Sequence, residues 1–270
     1  MSDPALPPPL SHLPTEEKAR RAASFGAIAD HYERYRPGPL PAAVEWFLPS
    51  PVSLVVDLGA GTGALTRLLT GRAEEVVAVE PDDRMRAVLT DQVPGVRAVQ
   101  GYGESIPLPN GSADVVLASS SWHWMEPKAT LAEVARVLRP GGALGALWTG
   151  PDEEGPFVVQ ARELLARQRS GDAELILADA GRQRPVLEIP PGVPFSAPEH
   201  EVFRWDVALS VEDLIGLLGT LSWFILMDDD QRTRVFAEAR RLLHEVLGLQ
   251  GDETVDVGFR VDAWRSRRDG

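Results

Sequence analysis

No cysteine occurs among the 270 residues of this chain. Disulfides, thiolate metal sites and a cysteine nucleophile are thereby excluded, and no resident metal is expected. The absence suits a reducing cytoplasm, which is the expected location. Positive charge is scarce as well: 27 Lys and Arg stand against 40 Asp and Glu, a formal net charge of −13. Nucleic-acid binding draws most of its affinity from cations that neutralise phosphates, so no nucleic-acid partner is expected. A small basic cluster, Arg265-Ser266-Arg267-Arg268, reads as a solvated strand end. No apolar run reaches the length of a membrane span, so no membrane partner is expected. The proline-rich start, residues 1–14, lacks the charged and apolar regions of a signal peptide and reads as a mobile tail. Oligomeric state is not legible.

What the chain does contain is a regular alternation of short apolar runs and helical patterns. A helix is expected over Thr15 to Tyr35 and a short one over Pro41–Phe47. Strands are expected at Val52–Asp57, Val76–Glu80, Val96–Gln100, Ala113–Ser119 and Ala143–Trp148, with helices at Thr62–Thr70 and Asp82–Gln92 between them. Over Pro127–Leu138, Leu131, Val134, Ala135 and Leu138 recur at i, i+3, i+4 and i+7, the stripe of an amphipathic helix, and Pro140-Gly141-Gly142 is expected to break it. Strands apolar throughout and separated by helices imply a parallel sheet covered on both faces. After Gly150 the pattern gives a helix at Phe157–Arg169, a loop-rich stretch to Pro198 and a strand at Val202–Ala208. Ser210-Val211-Glu212-Asp213 resembles a capping box opening a helix to about Leu226. A helix at Asp229–Leu247 and a strand at Val255–Arg265 close the chain.

The stretch VVDLGAGTG, Val55 to Gly63, joins the first expected strand to a helix through three glycines. Such a turn holds a ligand against the backbone at a helix N-terminus, where a Cβ would block close approach. Gly59-x-Gly61-x-x-Ala64 satisfies the relaxed dinucleotide fingerprint. Gly59-x-Gly61-x-Gly63 after Asp57 fits an S-adenosylmethionine turn equally well. Glu80, at the end of the second strand, suits ribose hydroxyls in either case, and no Gly-Lys-Ser/Thr follows to make a Walker loop.

Five further segments decide the matter. They are Gln100 to Pro107 (QGYGESIP), Asn110 to Asp114 (NGSAD), Ser119 to Trp124 (SSSWHW), Val137 to Gly142 (VLRPGG) and Ala29 to Pro37 (ADHYERYRP). With these segments the chain resembles class I S-adenosylmethionine-dependent methyltransferases, particularly the small-molecule branch with ubiquinone/menaquinone-type and trans-aconitate-type enzymes. The resemblance implies a Rossmann-like, doubly wound α/β sheet of about seven strands. That sheet is mostly parallel with an antiparallel strand near the C-terminus, has helices on both faces, and carries an N-terminal helical lid. It divides the chain into a tail (1–14), a lid (15–50), a cofactor-binding core (51–150) and a substrate side (151–270).

The same resemblance assigns roles. Asp57 orients the amino end of the cofactor, and Gly59, Ala60, Gly61, Thr62 and Gly63 pass beside its methionine portion. Glu80 and Pro81 meet the ribose, Met85 the adenine edge, and Gly103, Glu104 and Ser105 bracket the adenine. Tyr102 stands where the family often has an Asp for the adenine amino group, so recognition falls to backbone at Gly103 and Glu104, or to Glu104 itself. Ser119 and Ser120 sit where methionine moiety and substrate meet, and Tyr32 and Arg36 either close over the cofactor or hold a substrate carboxylate. His123 is the first candidate base for a hydroxyl or amine acceptor, and His31 in the lid the second. Trp122, Trp124, Trp223, Phe224 and Met227 supply substrate surface. The expected activity is O-, N- or C-methylation of a small apolar or aromatic metabolite, in keeping with secondary metabolism. A cyclisation or decarboxylation using the same cofactor, an NAD(P)-dependent oxidoreductase and a non-enzymatic binding protein are the competing readings.

Overall fold

The computed structural model describes residues 28–48, 51–168, 185–225, 227–245, 248–250 and 253–270. The expected tail and most of the first expected helix lie outside the described residues; the end of that helix is α1 (Ala29–Tyr35), followed by α2 (Pro41–Phe47). The sheet is built from β1 (Leu54–Leu58), β2 (Glu75–Val79), β3 (Arg97–Val99), β4 (Ala113–Ser119), β5 (Leu138–Pro151), β6 (Glu199–Ser210) and β7 (Thr254–Arg267). Their order across the sheet is β3-β2-β1-β4-β5-β7-β6. The first five run parallel, and β7 runs antiparallel to both β5 and β6.

The strands are apolar throughout because the sheet is covered twice. On one face Val55, Val115, Leu117 and Leu147 meet Val44 and Phe47 of α2 and Leu65 and Leu69 of α3 (Ala64–Leu69). On the other, Val56, Val116, Ala118 and Leu144 meet Leu131, Val134 and Ala135 of α5 (Pro127–Val137). Between them in sequence, α4 (Asp83–Gln92) places Leu89 on Ala60 and Ala78. Two of these helices have a side-chain cap at their start. Asp82 accepts from the Arg84 and Met85 N–H groups at the head of α4, and Glu126 accepts from Lys128 and Ala129 ahead of Pro127. Winding reverses between β1 and β4, which opens a crevice at their carboxyl ends.

Three expectations are revised. Pro140-Gly141-Gly142 does not break the chain between elements. It lies inside β5, where the register with β4 slips from Ala113↔Leu138 to Val115↔Ala143, and Gly141 N–H and Gly142 C=O pair with Arg268. The helix opened by Ser210 ends early, as α7 (Val211–Leu218), and a second short helix, α8 (Ser222–Ile225), follows; Leu226 lies outside the described residues. Helix α3 starts only at Ala64 because Gly63 caps it with φ +94°. The capping box itself is formed, with Ser210 and Asp213 bonded reciprocally. Helices α6 (Pro156–Gln168) and α9 (Asp229–Glu245) complete the chain.

Gly145 of β5 marks the tightest packing of sheet on helix. A Cβ there would stand 2.5 Å from both Leu117 Cδ2 and Phe47 Cδ1, closer than packed carbon atoms allow. Gly145→Ala is therefore expected to cost roughly 1–3 kcal/mol by overpacking, read from urea unfolding. Combining it with Phe47→Leu should cost less than the sum of the two changes, because part of the clash belongs to the Phe47 ring.

Candidate active site at the carboxyl edge of the sheet

The chain leaves β1 through a turn that only glycine fits. Gly59 and Gly61 have φ of +69° and +57°, in the left-handed region. The two glycines are required for different reasons. At Gly59 a Cβ would meet Ser121 Cβ at 2.6 Å, because the exits of β1 and β4 are pressed together there. Ser121 Oγ donates to the Leu58 carbonyl at 2.7 Å across that junction. At Gly61 a Cβ would meet nothing within 4 Å: the backbone conformation alone demands glycine, and the space beside it is open. The Gly59 and Ala60 N–H groups donate to Val79 C=O, at 2.8 and 3.1 Å, tying the turn to the end of β2.

Two acids are buried at this edge. Asp57 is fully buried and accepts a hydrogen bond at Oδ2 from Thr66 Oγ1, at 2.6 Å. Its Oδ1 is buried with no hydrogen-bond partner among the described residues. Burial pushes the Asp57 carboxyl up to about 7, opposed by the Thr66 hydroxyl and reinforced by the charge of Glu80. Glu80 is also raised by burial, against the backbone N–H groups of Asp82 and Gly61. Those two bonds measure 2.9 Å to Oε1 and 2.8 Å to Oε2. Arg86 holds the Glu80 carbonyl at 2.8 Å. Pro81 and Asp82 then lead into α4, whose first turn buries Met85.

The loop after β3 is a tight turn in which Tyr102 and Ser105 exchange backbone hydrogen bonds. Tyr102 is 55% exposed, so its ring faces solvent. Gly103 is pressed on the head of α5, where a Cβ would lie 2.6 Å from Met125 Sδ. Glu104 Oε1 accepts from the Glu126 N–H at 2.6 Å; the Glu104 carboxylate thus anchors the loop to the start of α5. Arg136 clamps the remainder of the loop, reaching the carbonyls of Ile106 and Leu108 at 2.7 and 2.8 Å while bonded to Glu133.

Strand β4 ends at Ser119, and Ser120 takes φ +51°, a strained choice for a residue with a side chain. Its N–H donates to Leu147 C=O at 2.7 Å, which keeps the exit of β4 bound to β5. A single 3₁₀ turn, Trp122–Trp124, comes next. Trp122 is buried in the core with Met125 and Leu131, so packing accounts for its ring. His123 is half-buried, and its Nδ1 accepts a hydrogen bond from the indole N–H of Trp148 on β5, at 2.9 Å. The ring of Trp124 lies 5.0 Å from the imidazole, tilted.

Helix α1 lies between the two sides of this edge. Glu33 pairs with Arg67 of α3 at 2.6 Å. On the other side His31 Nε2 donates to the Gly216 carbonyl of α7 at 2.9 Å. Arg36 stands over the Tyr32 ring, 5.6 Å from its centre, with Nη2 3.5 Å from Thr149 C=O. Phe224 and Met227 pack in a small cluster with Val235 and Phe236, and Phe236 lies beside Gly219, next to His31; the side chain of Trp223 lies outside the described residues. Among the described residues no group of three or more His, Asp and Glu could hold a metal. Two residues that matter at this edge do not stand out in the sequence reading, Thr66 and Ser121. Thr66 is a hydroxyl on an otherwise apolar helix face between Leu65 and Leu69, which is a readable signal. Ser121 carries none, since its role depends on the approach of Gly59.

The raised Asp57 carboxyl has a thermodynamic sign. Between pH 4 and 7 the unfolded chain has lost this proton and the folded protein still holds it, so stability falls as pH rises and levels off above about 7. From pH 5 to 8 the loss through this group is roughly 2–3 kcal/mol. Asp57→Asn should flatten the dependence by that amount, measured by urea unfolding at the two pH values.

Comparison with known proteins agrees with this geometry. The family model described as a methyltransferase domain matches residues 56–146. An uncharacterised methyltransferase of Mycobacterium bovis is 38% identical over 220 residues, covering 82% of this chain and 85% of that protein. A malonyl-[acyl-carrier protein] O-methyltransferase of Methylococcus capsulatus is 33% identical over 142 residues, 48% of this chain and 51% of that one. Among solved structures, a candidate type II methyltransferase from Anaeromyxobacter dehalogenans superposes with a TM-score of 0.65 at 22% identity, covering 86% of this chain and 98% of that one. The turn, the acids and the strand order thus stand in a chain that belongs to the class I S-adenosylmethionine-dependent methyltransferases.

Proposed function

We propose that this enzyme methylates a small apolar or aromatic metabolite, with the cofactor lying across the β1–β4 crevice. The observation that carries the reading is the orphaned Oδ1 of buried Asp57, a polar atom with no partner in a place where an unmet bond is costly. The ammonium of a bound methionine moiety, directly or through one water, would satisfy it. The open space beside Gly61 leaves room for the same moiety along Gly59, Ala60, Gly61, Thr62 and Gly63. Glu80 keeps lone pairs beyond the two backbone N–H bonds it accepts, suited to ribose hydroxyls above Pro81 and Met85. Adenine falls to backbone groups at Gly103, Glu104 and Ser105, since the Glu104 carboxylate is engaged with Glu126.

S-adenosylmethionine supplies an activated methyl group on a sulfonium, so the protein's work is chiefly to hold and orient. Ser119 and Ser120 border the place where the methyl and its acceptor meet. Tyr32 and Arg36, with α1 bound on two sides, close that place from solvent. Trp124 and Trp223 are the aromatic surfaces assigned to the acceptor.

Incubating the protein with metabolite pools and methyl-labelled S-adenosylmethionine should yield a labelled small molecule together with S-adenosylhomocysteine. Release of the homocysteine product with no labelled acceptor, or binding of NAD in place of S-adenosylmethionine, would defeat the reading. Glu80→Gln should weaken S-adenosylmethionine binding by roughly 10-fold or more, as expected for hydrogen bonds to a charged group, measured by calorimetry.

A further inference from the structure

Arg36 is held at the edge of the sheet without an anion for its charge. Its N–H closes the last turn of α1 on the Tyr32 carbonyl at 3.0 Å. Its own backbone is extended, with φ −95° and ψ 113°, the region that a following proline favours. Pro37 and Gly38 then pass the head of α3, where a Cβ at Gly38 would stand 3.5 Å from Ala64 Cβ. From this fixed backbone the side chain extends past the Tyr32 ring to β5, where Nη2 lies 3.5 Å from Thr149 C=O. At that length the bond to the carbonyl is weak. Arg36 is half-buried, and among the described residues no carboxylate pairs with it. Arg136, Arg260 and Arg265, half-buried like it, are paired with Glu133, Asp262 and Glu199. A charge withdrawn from water with no partner is costly.

Thr149 supplies an independent observation. Strand β4 ends at Ser119, level with Leu147. Thr149 therefore stands two residues past the end of β4, where β5 is paired with β7 alone. Strand residues alternate between faces, so Thr149 shares the face of Leu147 and of Val261 opposite it. Asp57 meets Thr66 on that same face. Thr149 is 8% exposed, and its Oγ1 is buried with no hydrogen-bond partner among the described residues. A cation and a hydroxyl are thus left unmet side by side.

We propose that Arg36 and Thr149 form a carboxylate subsite on the β5 side of the crevice. A carboxylate answers both groups at once: it accepts two parallel N–H bonds from a guanidinium and a further one from a hydroxyl. An uncharged apolar ligand would leave both unmet. The subsite rests on the cofactor placement proposed above. Two molecules bring a carboxylate to that crevice: the cofactor, on the carbon that bears its ammonium, and an acceptor that is itself an acid. Asp57 lies on β1 and Thr149 on β5, two strands away, about 10 Å across the sheet. The chemistry of the subsite is the same for either source, and the two differ in what binding depends on Arg36.

The test has two arms, each run on the full-length protein and on Arg36→Gln. In the first, calorimetry compares S-adenosylmethionine with its decarboxylated form, which keeps the ammonium. In the second, the protein saturated with S-adenosylhomocysteine is titrated with benzoate and with neutral benzamide, followed by saturation-transfer NMR. If the cofactor fills the subsite, the wild type prefers the intact cofactor by roughly 10-fold or more, and Arg36→Gln loses that preference. If the acceptor fills it, the cofactor preference is the same in both proteins. Benzoate then binds where benzamide does not, and Arg36→Gln abolishes its binding. A cofactor preference untouched by Arg36→Gln, together with no benzoate binding that depends on Arg36, overturns the inference. Thr149→Val should weaken the same carboxylate several-fold without lowering the urea midpoint, because Oγ1 has no bond to lose. A lowered midpoint with carboxylate binding unchanged would remove Thr149 from the subsite. Failure of methyl transfer with every metabolite pool would defeat the proposed function and leave these binding results standing.

Discussion

Two carboxyl groups withdrawn from water at the carboxyl ends of β1 and β2 set the terms for the structure around them. Burying Asp57 and Glu80 is costly unless their oxygens are met by donors. Three of the four oxygens are. Thr66 supplies a hydroxyl, Gly61 and Asp82 supply backbone N–H groups. The N–H of Gly61 reaches Glu80 from a residue at positive φ, a conformation that makes the glycine indispensable. The turn between β1 and α3 is thus shaped by the need to satisfy Glu80 as much as by closeness to a ligand. The fourth oxygen, Oδ1 of Asp57, has no hydrogen-bond partner among the described residues.

The rest of the edge is assembled by contacts between strand exits. Ser121 joins β4 to β1 through the Leu58 carbonyl, Ser120 joins β4 to β5 through Leu147, and Glu104 joins the β3 loop to α5. Each uses a short polar group on a chain leaving a rigid strand, so the walls of the crevice are held by the sheet and not by flexible loops. The pairing of His123 with Trp148 belongs to the same class. It ties the 3₁₀ turn after β4 to β5 through the indole N–H of Trp148.

Much of this is legible in the sequence. Strands β1, β2 and β4 and helices α2, α4 and α5 are evident because burial on both faces makes the strands apolar and the helix stripe regular. Ser210 and Asp213 announce their cap by spacing alone. The glycine turn is legible as a ligand site but not as a particular one, and the family resemblance rests on several segments that are each weak alone. The features that stay hidden depend on distant partners. Pro140 to Gly142 looks like a break, and only pairing with Arg268 makes it strand. Gly219 ends α7 beneath His31, where a Cβ would stand 2.8 Å from the imidazole Nε2. Trp122 and Phe224 read equally well as core or as substrate surface, because composition does not distinguish the two. His123 and Trp148 are 25 residues apart, and no local pattern couples them.

On the proposed reading, the Asp57 carboxyl, pushed up to about 7 by burial, ionises when the cofactor's ammonium arrives. The direct measurement is calorimetric titration with S-adenosylhomocysteine, which carries the same amino group, at pH 7 in buffers of different ionisation enthalpy. Release of a fraction of a proton on binding is expected, and it should be abolished in Asp57→Asn. Binding with no exchange of protons, or proton release that persists in Asp57→Asn, would contradict that role.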